Sequence, residues 1–389
     1  GYMARAAFVM DRFMRLIGLP GKSFVPMMVG FGCTVPAIAG TRTLESRKDR
    51  YMTIFMSPFM SCGARLPVYA LFAAAFFPSR AGVVVFSLYI IGIALAILTG
   101  LLLKHTLFKG EPSHFVMELP PYHAPHLRSL WTHTWNRLKL FILRAGATIT
   151  VAVAILSILD SVGVDGTLGN SGTEGSLLAS LGKSVTPILE PIGVEGENWQ
   201  ATVGLVTGMF AKEAIVGTLN SLYASESDND PERERFALLP ALGNALATIP
   251  EAFGGILDTF LDPLGISILQ EEEQALAAEL AAGSGIFPRL RANFSTAGAY
   301  AYLLFVLIYI PCMAAVGTAI KEMGSFFGIL LALYTTLLAW VVAAGYYQLV
   351  EGAGLTGLGA PALLLGMMVL SLAILGKATQ HQFGEDSDE

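Results

Sequence analysis

The stretch from Tyr51 to Phe77 limits what this chain can fold into more than any other. It is long and apolar enough for a membrane helix, yet Pro58, Gly63 and Pro67 interrupt it, with Cys62 and Arg65 between the two prolines. Proline removes a backbone donor and clashes with the turn before it. At membrane depth the groups so freed persist only where protein or a water-filled cavity satisfies them. A buried arginine carries the same demand for a partner or a cavity. Two readings follow. The stretch is either a discontinuous helix that offers a thiol and bare carbonyls to a passing solute, or a proline-kinked packing helix whose cysteine acts as a small hydrophobe.

The surrounding sequence places that stretch in a bilayer. Of 389 residues, 54% are hydrophobic and only 14% charged, and the mean hydropathy is +0.60. Such a composition belongs to an all-α polytopic membrane protein. The net charge of −6 is too small and too dispersed for a nucleic-acid partner, and the acidic end from Glu385 to Glu389 reads as solvated. Cys33, Cys62 and Cys312 are odd in number, far apart and set in apolar segments, so free thiols are expected and not a disulfide framework. No apolar signal core follows Gly1, and a start at Gly-Tyr reads as the start of a fragment.

Residues 3–19 are amphipathic and suit a helix lying at the interface. Gly18-Leu-Pro-Gly-Lys-Ser23 ends like a phosphate loop, but Leu16 stands where the first glycine is required, so it reads as a turn. Ser23 to Gly40 is a short, broken apolar segment, and Arg42, Arg47, Lys48 and Arg50 mark the loop after it as cytoplasmic. Ala81 to Phe108 is a clean span. A basic stretch from Lys104 to Arg144 follows, holding five of the six histidines. Those histidines lack metal-site spacing and read as a proline-rich linker on the membrane.

Ala145 to Leu159 is a further span, extended by the amphipathic Trp131 to Arg144, and Asp160 to Asn198 is expected outside. Beyond Trp199 to Tyr223 come a charged loop to Arg235, an interrupted apolar stretch to Phe260, and an amphipathic surface helix over Glu271 to Ala282. Ser295 to Lys321 is broken at Pro311-Cys312, and Ser325 to Val350 and Ala362 to Gly376 are uninterrupted. In all, about eight membrane-spanning helices are expected, several broken or re-entrant.

Two parts of the chain resemble each other. Ile17-Gly-Leu-Pro-Gly-Lys-Ser-Phe24 matches Ile192-Gly-Val-Glu-Gly-Glu-Asn-Trp199, and each precedes a Gly-rich broken stretch. Ser57-Pro-Phe-Met-Ser-Cys62 has a looser counterpart in Tyr309-Ile-Pro-Cys312. Paired broken segments put a transport site where the halves meet near the midplane. The loop charges leave open whether the repeats are parallel or inverted.

The chemistry-bearing residues gather at these breaks. Thiolates bind Fe(II), Zn(II) and Cu(I), and a cation in transit needs weak, multi-site binding. Lys212 and Glu213 are two charges in an apolar segment, and on a helix neighbours point about 100° apart. They therefore need different partners: Arg65 for Glu213 and Glu322 for Lys212. Asn220, two turns beyond Glu213, extends a polar track. The alternative is a charge lock that only holds broken helices together. No hydrolase triad, zincin motif or phosphate loop is present, so the chain is not expected to be an enzyme.

Gly1-Tyr-Met-Ala-Arg-Ala-Ala-Phe-Val-Met-Asp-Arg12, Gly30-Phe-Gly-Cys-Thr-Val-Pro-Ala-Ile38, Pro58-Phe-Met-Ser-Cys-Gly-Ala-Arg-Leu-Pro67, Met117-Glu-Leu-Pro-Pro-Tyr122 and Phe210-Ala-Lys-Glu213 together resemble FeoB-type ferrous iron transporters, over nearly the whole chain. The resemblance implies two gate modules related to nucleoside-recognition domains. These are expected at 1–110 and 145–323, joined by a cytoplasmic linker over 111–144 and followed by membrane helices and an acidic tail over 324–389.

It further implies Fe(II) as transported substrate across the bacterial inner membrane, with Cys33, Cys62, Cys312 and Glu213 on the metal path. Arg65, Lys212, Asn220 and Glu322 would support that path. GTP and Mg would be held by a GTP-binding domain that, with a first membrane helix, precedes the Gly-Tyr-Met-Ala-Arg motif in family members. Small accessory Feo proteins, the lipid bilayer and a homo-oligomer are the other implied partners. The family often has Asn after this cysteine, where this chain has Thr34. Transport of an organic solute such as a nucleoside, or a non-transporting membrane scaffold, are the competing readings.

Overall fold

In a computed structural model of the chain, residues 2–108, 126–163, 175–225, 286–352 and 358–384 are described. The Met117 to Tyr122 motif, His114, His123, the apolar stretch to Phe260, the surface helix at 271–282 and the acidic tail lie outside them. Among the described residues the fold is helical with no strands, apart from one isolated bridge between Gly163 and Ser176. Five segments among the described residues are long and apolar enough to cross a membrane: Arg47–Phe76, Ala81–His105, Thr296–Met323, Ser325–Val350 and Gly359–Lys377. The chain is thus a multi-pass helical membrane protein.

Helix α1 (Tyr2–Ile17) is amphipathic as expected. Ala7, Met14 and Ile17 are buried, while Phe8, Val9, Phe13 and Leu16 are exposed. Its polar strip also closes the following turn: one Asp11 oxygen accepts from Arg15 at 2.6 Å and the other from the Gly21 N–H at 2.8 Å. The failed phosphate loop is a turn, with Gly18 at φ +92° and a short 3-10 helix over Gly21–Ser23.

The broken segments follow. Helix α2 (Phe24–Gly30) and α3 (Thr34–Gly40) are seven residues each and flank a break at Phe31–Cys33. Helix α4 (Arg47–Met56) passes through a 3-10 turn at Ser57–Phe59, an extended Met60–Cys62 and a second 3-10 turn at Gly63–Arg65 into α5 (Leu66–Phe76). Helix α6 (Ala81–His105) is the clean span, and α7 (Leu127–Ser161) is one continuous 35-residue helix.

The second half repeats the style. Helix α8 (Leu177–Leu189) leads through a turn into α9 (Trp199–Phe210), and Ala211–Glu213 separates α9 from α10 (Ala214–Ser225). Helix α11 (Ile286–Asn293) precedes α12 (Thr296–Ile308), which breaks at Tyr309–Cys312 before α13 (Met313–Met323). Helices α14 (Ser325–Val350) and α15 (Gly359–Gly384) complete the chain. Two of the expected crossings, Ser23 to Gly40 and Trp199 to Tyr223, are pairs of helices of 7 and 12 residues. At about 1.5 Å per residue none of these halves crosses a hydrocarbon core alone, so among the described residues five segments are suited to crossing by themselves.

The sequence match between the halves has counterparts in backbone geometry. Gly18 and Gly193 occupy matched positions, and both take positive φ, +92° and +87°. Helices α2 and α9 start at the matched Phe24 and Trp199. The packing crosses over: α3 lies against α13 and α5 against α10. Among the described residues a smaller cluster of Leu178, Ala179, Trp199, Val203 and Leu222 joins α8, α9 and α10, and the main core sits between α4–α5, α6, α12 and α14. There Phe72 stacks on Tyr302 with centroids 5.0 Å apart and meets Phe294 edge-on at 5.5 Å. Tyr302 and Tyr309 on α12 donate to the carbonyls of Ala201 and Leu205 on α9, at 3.1 and 3.3 Å. These bonds fix one broken segment against the other.

Candidate functional site at the helix breaks

All three cysteines occupy the same local position. Cys33 is the N-cap of α3, Cys62 the N-cap of the 3-10 turn that opens α5, and Cys312 the N-cap of α13, each with extended backbone. The reason is in the chain: proline or glycine next to each cysteine ends one helix, and the cysteine carbonyl then accepts the first bonds of the next. The Cys62 carbonyl accepts from Arg65, and the Cys312 carbonyl from Ala315 and Val316. No thiol makes a capping hydrogen bond. The N–H groups of Val35 and Ala315 nevertheless lie close enough to act on the Cys33 and Cys312 thiols. Each thiol is half-buried and set at the N-terminus of a half-helix.

The breaks are brought together in space. The Gly63 N–H meets the Gly32 carbonyl at 3.4 Å, which joins the Cys33 and Cys62 breaks. The packing of α3 on α13 adds the Cys312 break. Cys33 lies within electrostatic range of Cys62, Cys312 and Glu213, and Cys312 within range of Cys62, Lys212 and Arg65. Among the described residues, no three His, Cys, Asp or Glu side chains converge closely enough to hold one metal ion. The thiols therefore lie near one another in this conformation without forming a closed cage.

The charged residues depart from their expected partners. Arg65 is 1% exposed and does not pair with Glu213. Its Nη1 donates to the carbonyls of Pro58 at 3.0 Å and Met60 at 3.3 Å. The carbonyls expected to stand bare at this break are thus bound by the arginine seven residues on, as the rule of internal satisfaction demands. Glu322 does not reach Lys212. Its side chain, 4% exposed, accepts from both Nε and Nη2 of Arg42, at 2.8 Å from Nε, and from Nη2 of Arg50 at 3.1 Å. That cluster ties the first basic loop to the end of α13, helped by the Tyr51 hydroxyl on the Met323 carbonyl at 3.2 Å.

Lys212 is buried, at 3% exposure, in the turn between α9 and α10. Its Nζ has no hydrogen-bond partner and sits 3.2 Å from the ring centroid of Tyr309. Glu213 and Asn220 are exposed. Tyr309 is the residue that sequence reasoning passed over. It stands at the start of the quoted Tyr-Ile-Pro-Cys motif, where an aromatic in an apolar run gives no sign that a lysine nearly a hundred positions away will rest on it.

Comparison with known proteins adds an independent line. The family profile described as nucleoside recognition (Gate) matches residues 1–76 and 142–326, and the ferrous iron transport protein B C terminus profile matches residues 85–137. The Fe(2+) transporter FeoB proteins of Salmonella typhi, Escherichia coli K12 and Shigella flexneri are each 47% identical over 353 residues. Those alignments cover 90% of this chain and 44% of each relative, so the chain spans less than half the length of the curated relatives it matches. No solved structure matches the chain.

Proposed function

This chain belongs to the nucleoside-recognition (Gate) family, in the form that carries the ferrous iron transport protein B C terminus, and we propose that it passes Fe(II) across a membrane. One observation carries the reading: three thiols stand at the N-termini of three half-helices, within electrostatic range of one another. A path of separated thiols gives successive weak ligands in place of one tight site, which is what a moving cation requires. Cys33, Cys62 and Cys312 are the path residues, and Glu213, exposed at the α9–α10 break and in range of Cys33, adds a carboxylate. Asn220 continues the polar track. Arg65 and Glu322 act as structural supports, the first holding the α4–α5 break and the second holding the α13 terminus.

The matched glycines, the matched helix starts and the crossed packing support reading the halves as two modules, near 1–110 and 145–323, with the path where they meet. A bacterial inner-membrane setting and coupling to a GTP-binding domain, where GTP and Mg would be held, are inferred from the resemblance to FeoB-type transporters; the relatives' names speak for Fe(2+) transport. The same names weigh against an organic solute as cargo. Fe(II) uptake in cells lacking other iron importers tests the proposal. Cys62→Ser reduces uptake, and the triple serine variant of Cys33, Cys62 and Cys312 abolishes it. Normal uptake by the triple variant, at matched protein level, would remove the thiols from the mechanism.

A further inference from the structure

Lys212 is out of place on a cation path. A buried ammonium ordinarily pairs with a carboxylate, because desolvation disfavours the unpaired charge. Here Glu322 is engaged by Arg42 and Arg50, Glu213 turns to the exposed side, and the nearby charge of Arg65 has the same sign. The ammonium rests against the face of Tyr309, 3.2 Å away at its centroid, with the like-signed Arg65 and the Cys62 and Cys312 thiols all within electrostatic range. An aromatic face attracts a cation without directional bonding. The ammonium can therefore leave without abandoning a hydrogen bond, since its Nζ makes none. Both partners also stand at breaks, Lys212 between α9 and α10 and Tyr309 at the end of α12, three residues before Cys312.

We propose that the Lys212 ammonium is a tethered cation which occupies the path beside Cys62 and Cys312 when no metal is present, and that an incoming divalent cation displaces it from the Tyr309 ring. Lys212 is thus a gate for charge: it repels small cations from the thiols until one arrives that the thiols bind strongly enough to expel it. Because the lysine and the tyrosine belong to two broken segments, its departure also removes one contact between the α9–α10 turn and the α12 end, while the Tyr309 hydroxyl still holds α9 through the Leu205 carbonyl. The proposal rests on the broken helices being the metal path.

The test uses the protein reconstituted in liposomes, with either Cys62 or Cys312 as the sole cysteine. Each is modified by a cationic and by a neutral methanethiosulfonate of similar size, and the ratio of the two rates is taken. The ratio cancels any change in thiol reactivity common to both reagents. Lys212→Met is expected to raise the cationic-to-neutral ratio at least tenfold, while Lys212→Arg, which keeps the charge, leaves it near the wild-type value. An unchanged ratio in Lys212→Met overturns the proposal. An equal rise in Lys212→Arg overturns it too, since packing and not charge would then guard the thiols. Fe(II) influx into the same liposomes is read separately. Its absence from the unmodified protein defeats the transport reading, while the thiol-rate ratio judges the lysine alone.

Discussion

Two buried basic side chains lie within electrostatic range of each other, and the chain treats them differently. Arg65 sits in the first half with its guanidinium on two carbonyls that the Pro58 break sets free. Lys212 sits in the second half on an aromatic face with no acceptor. A planar guanidinium with several fixed donors can bridge carbonyls in an irregular turn, whereas an ammonium is a compact charge on a flexible stem. The first is a staple that makes the α4–α5 break a stable shape. The second is a charge held in place by weak, releasable contacts. One break is therefore built to stay as it is, and the other is built with something that can move.

Substitutions sharpen that contrast. The largest effect is expected for Arg65→Leu, which strands two buried carbonyls and should cost about 3 kcal/mol or more. A large fall in the thermal unfolding midpoint in detergent checks it, and a stable, monodisperse variant would contradict the staple role. Next come the matched glycines. A Cβ at Gly193 would lie 2.6 Å from the Tyr347 ring and 2.8 Å from the Gly298 backbone, while one at Gly18 would meet the flexible Lys104 side chain, nearest at 2.8 Å. Both positions have positive φ, so alanine costs about 1 kcal/mol at either from the backbone alone.

Gly193→Ala should therefore lower the unfolding midpoint clearly more than Gly18→Ala, and equal shifts would mean the two turns are equally compliant. Glu322→Gln weakens the tie to Arg42 and Arg50. Because the Arg42 side chain is 56% exposed, the expected loss is smaller, about 1 kcal/mol. The Glu322 carboxylate, through its hydrogen bonds, holds the Arg42 guanidinium above its ordinary value. That stability is fully present below the unfolded-state value and would be lost only as pH rises through the elevated folded one, so no arginine-linked change is expected across neutral pH. The smallest effect on stability belongs to Lys212→Met. Removing an unpaired buried charge should leave the midpoint unchanged or slightly raised, the opposite of Arg65→Leu. A marked destabilisation would make Lys212 a staple as well.

The breaks themselves were legible in the sequence because proline and glycine act locally. Pro58, Gly63 and Pro67 end and restart helices where they stand, and so do the breakers beside Cys33 and Cys312. The turn at Gly18, the amphipathic character of α1 and the uninterrupted α6 and α14 were readable for the same reason. Charge pairing was not. Arg65 for Glu213 and Glu322 for Lys212 were sensible matches by sign, but sign says nothing about reach. Arg65 found acceptors within its own segment, and Glu322 found arginines just before and within α4, some 270 to 280 positions earlier.

Sequence alone therefore determined the class of the protein, the places where three of its segments break and the cysteine that each of those three carries, since composition and breaker residues act through the local backbone. Only the tertiary structure decided which groups meet. It made the freed carbonyls of the first break the ligands of Arg65, it set the three thiols within range of one another, and it laid Lys212 on Tyr309. The physical reason is that a membrane chain must satisfy its polar groups with whatever the packing brings near, and packing joins residues that no spacing in the sequence connects.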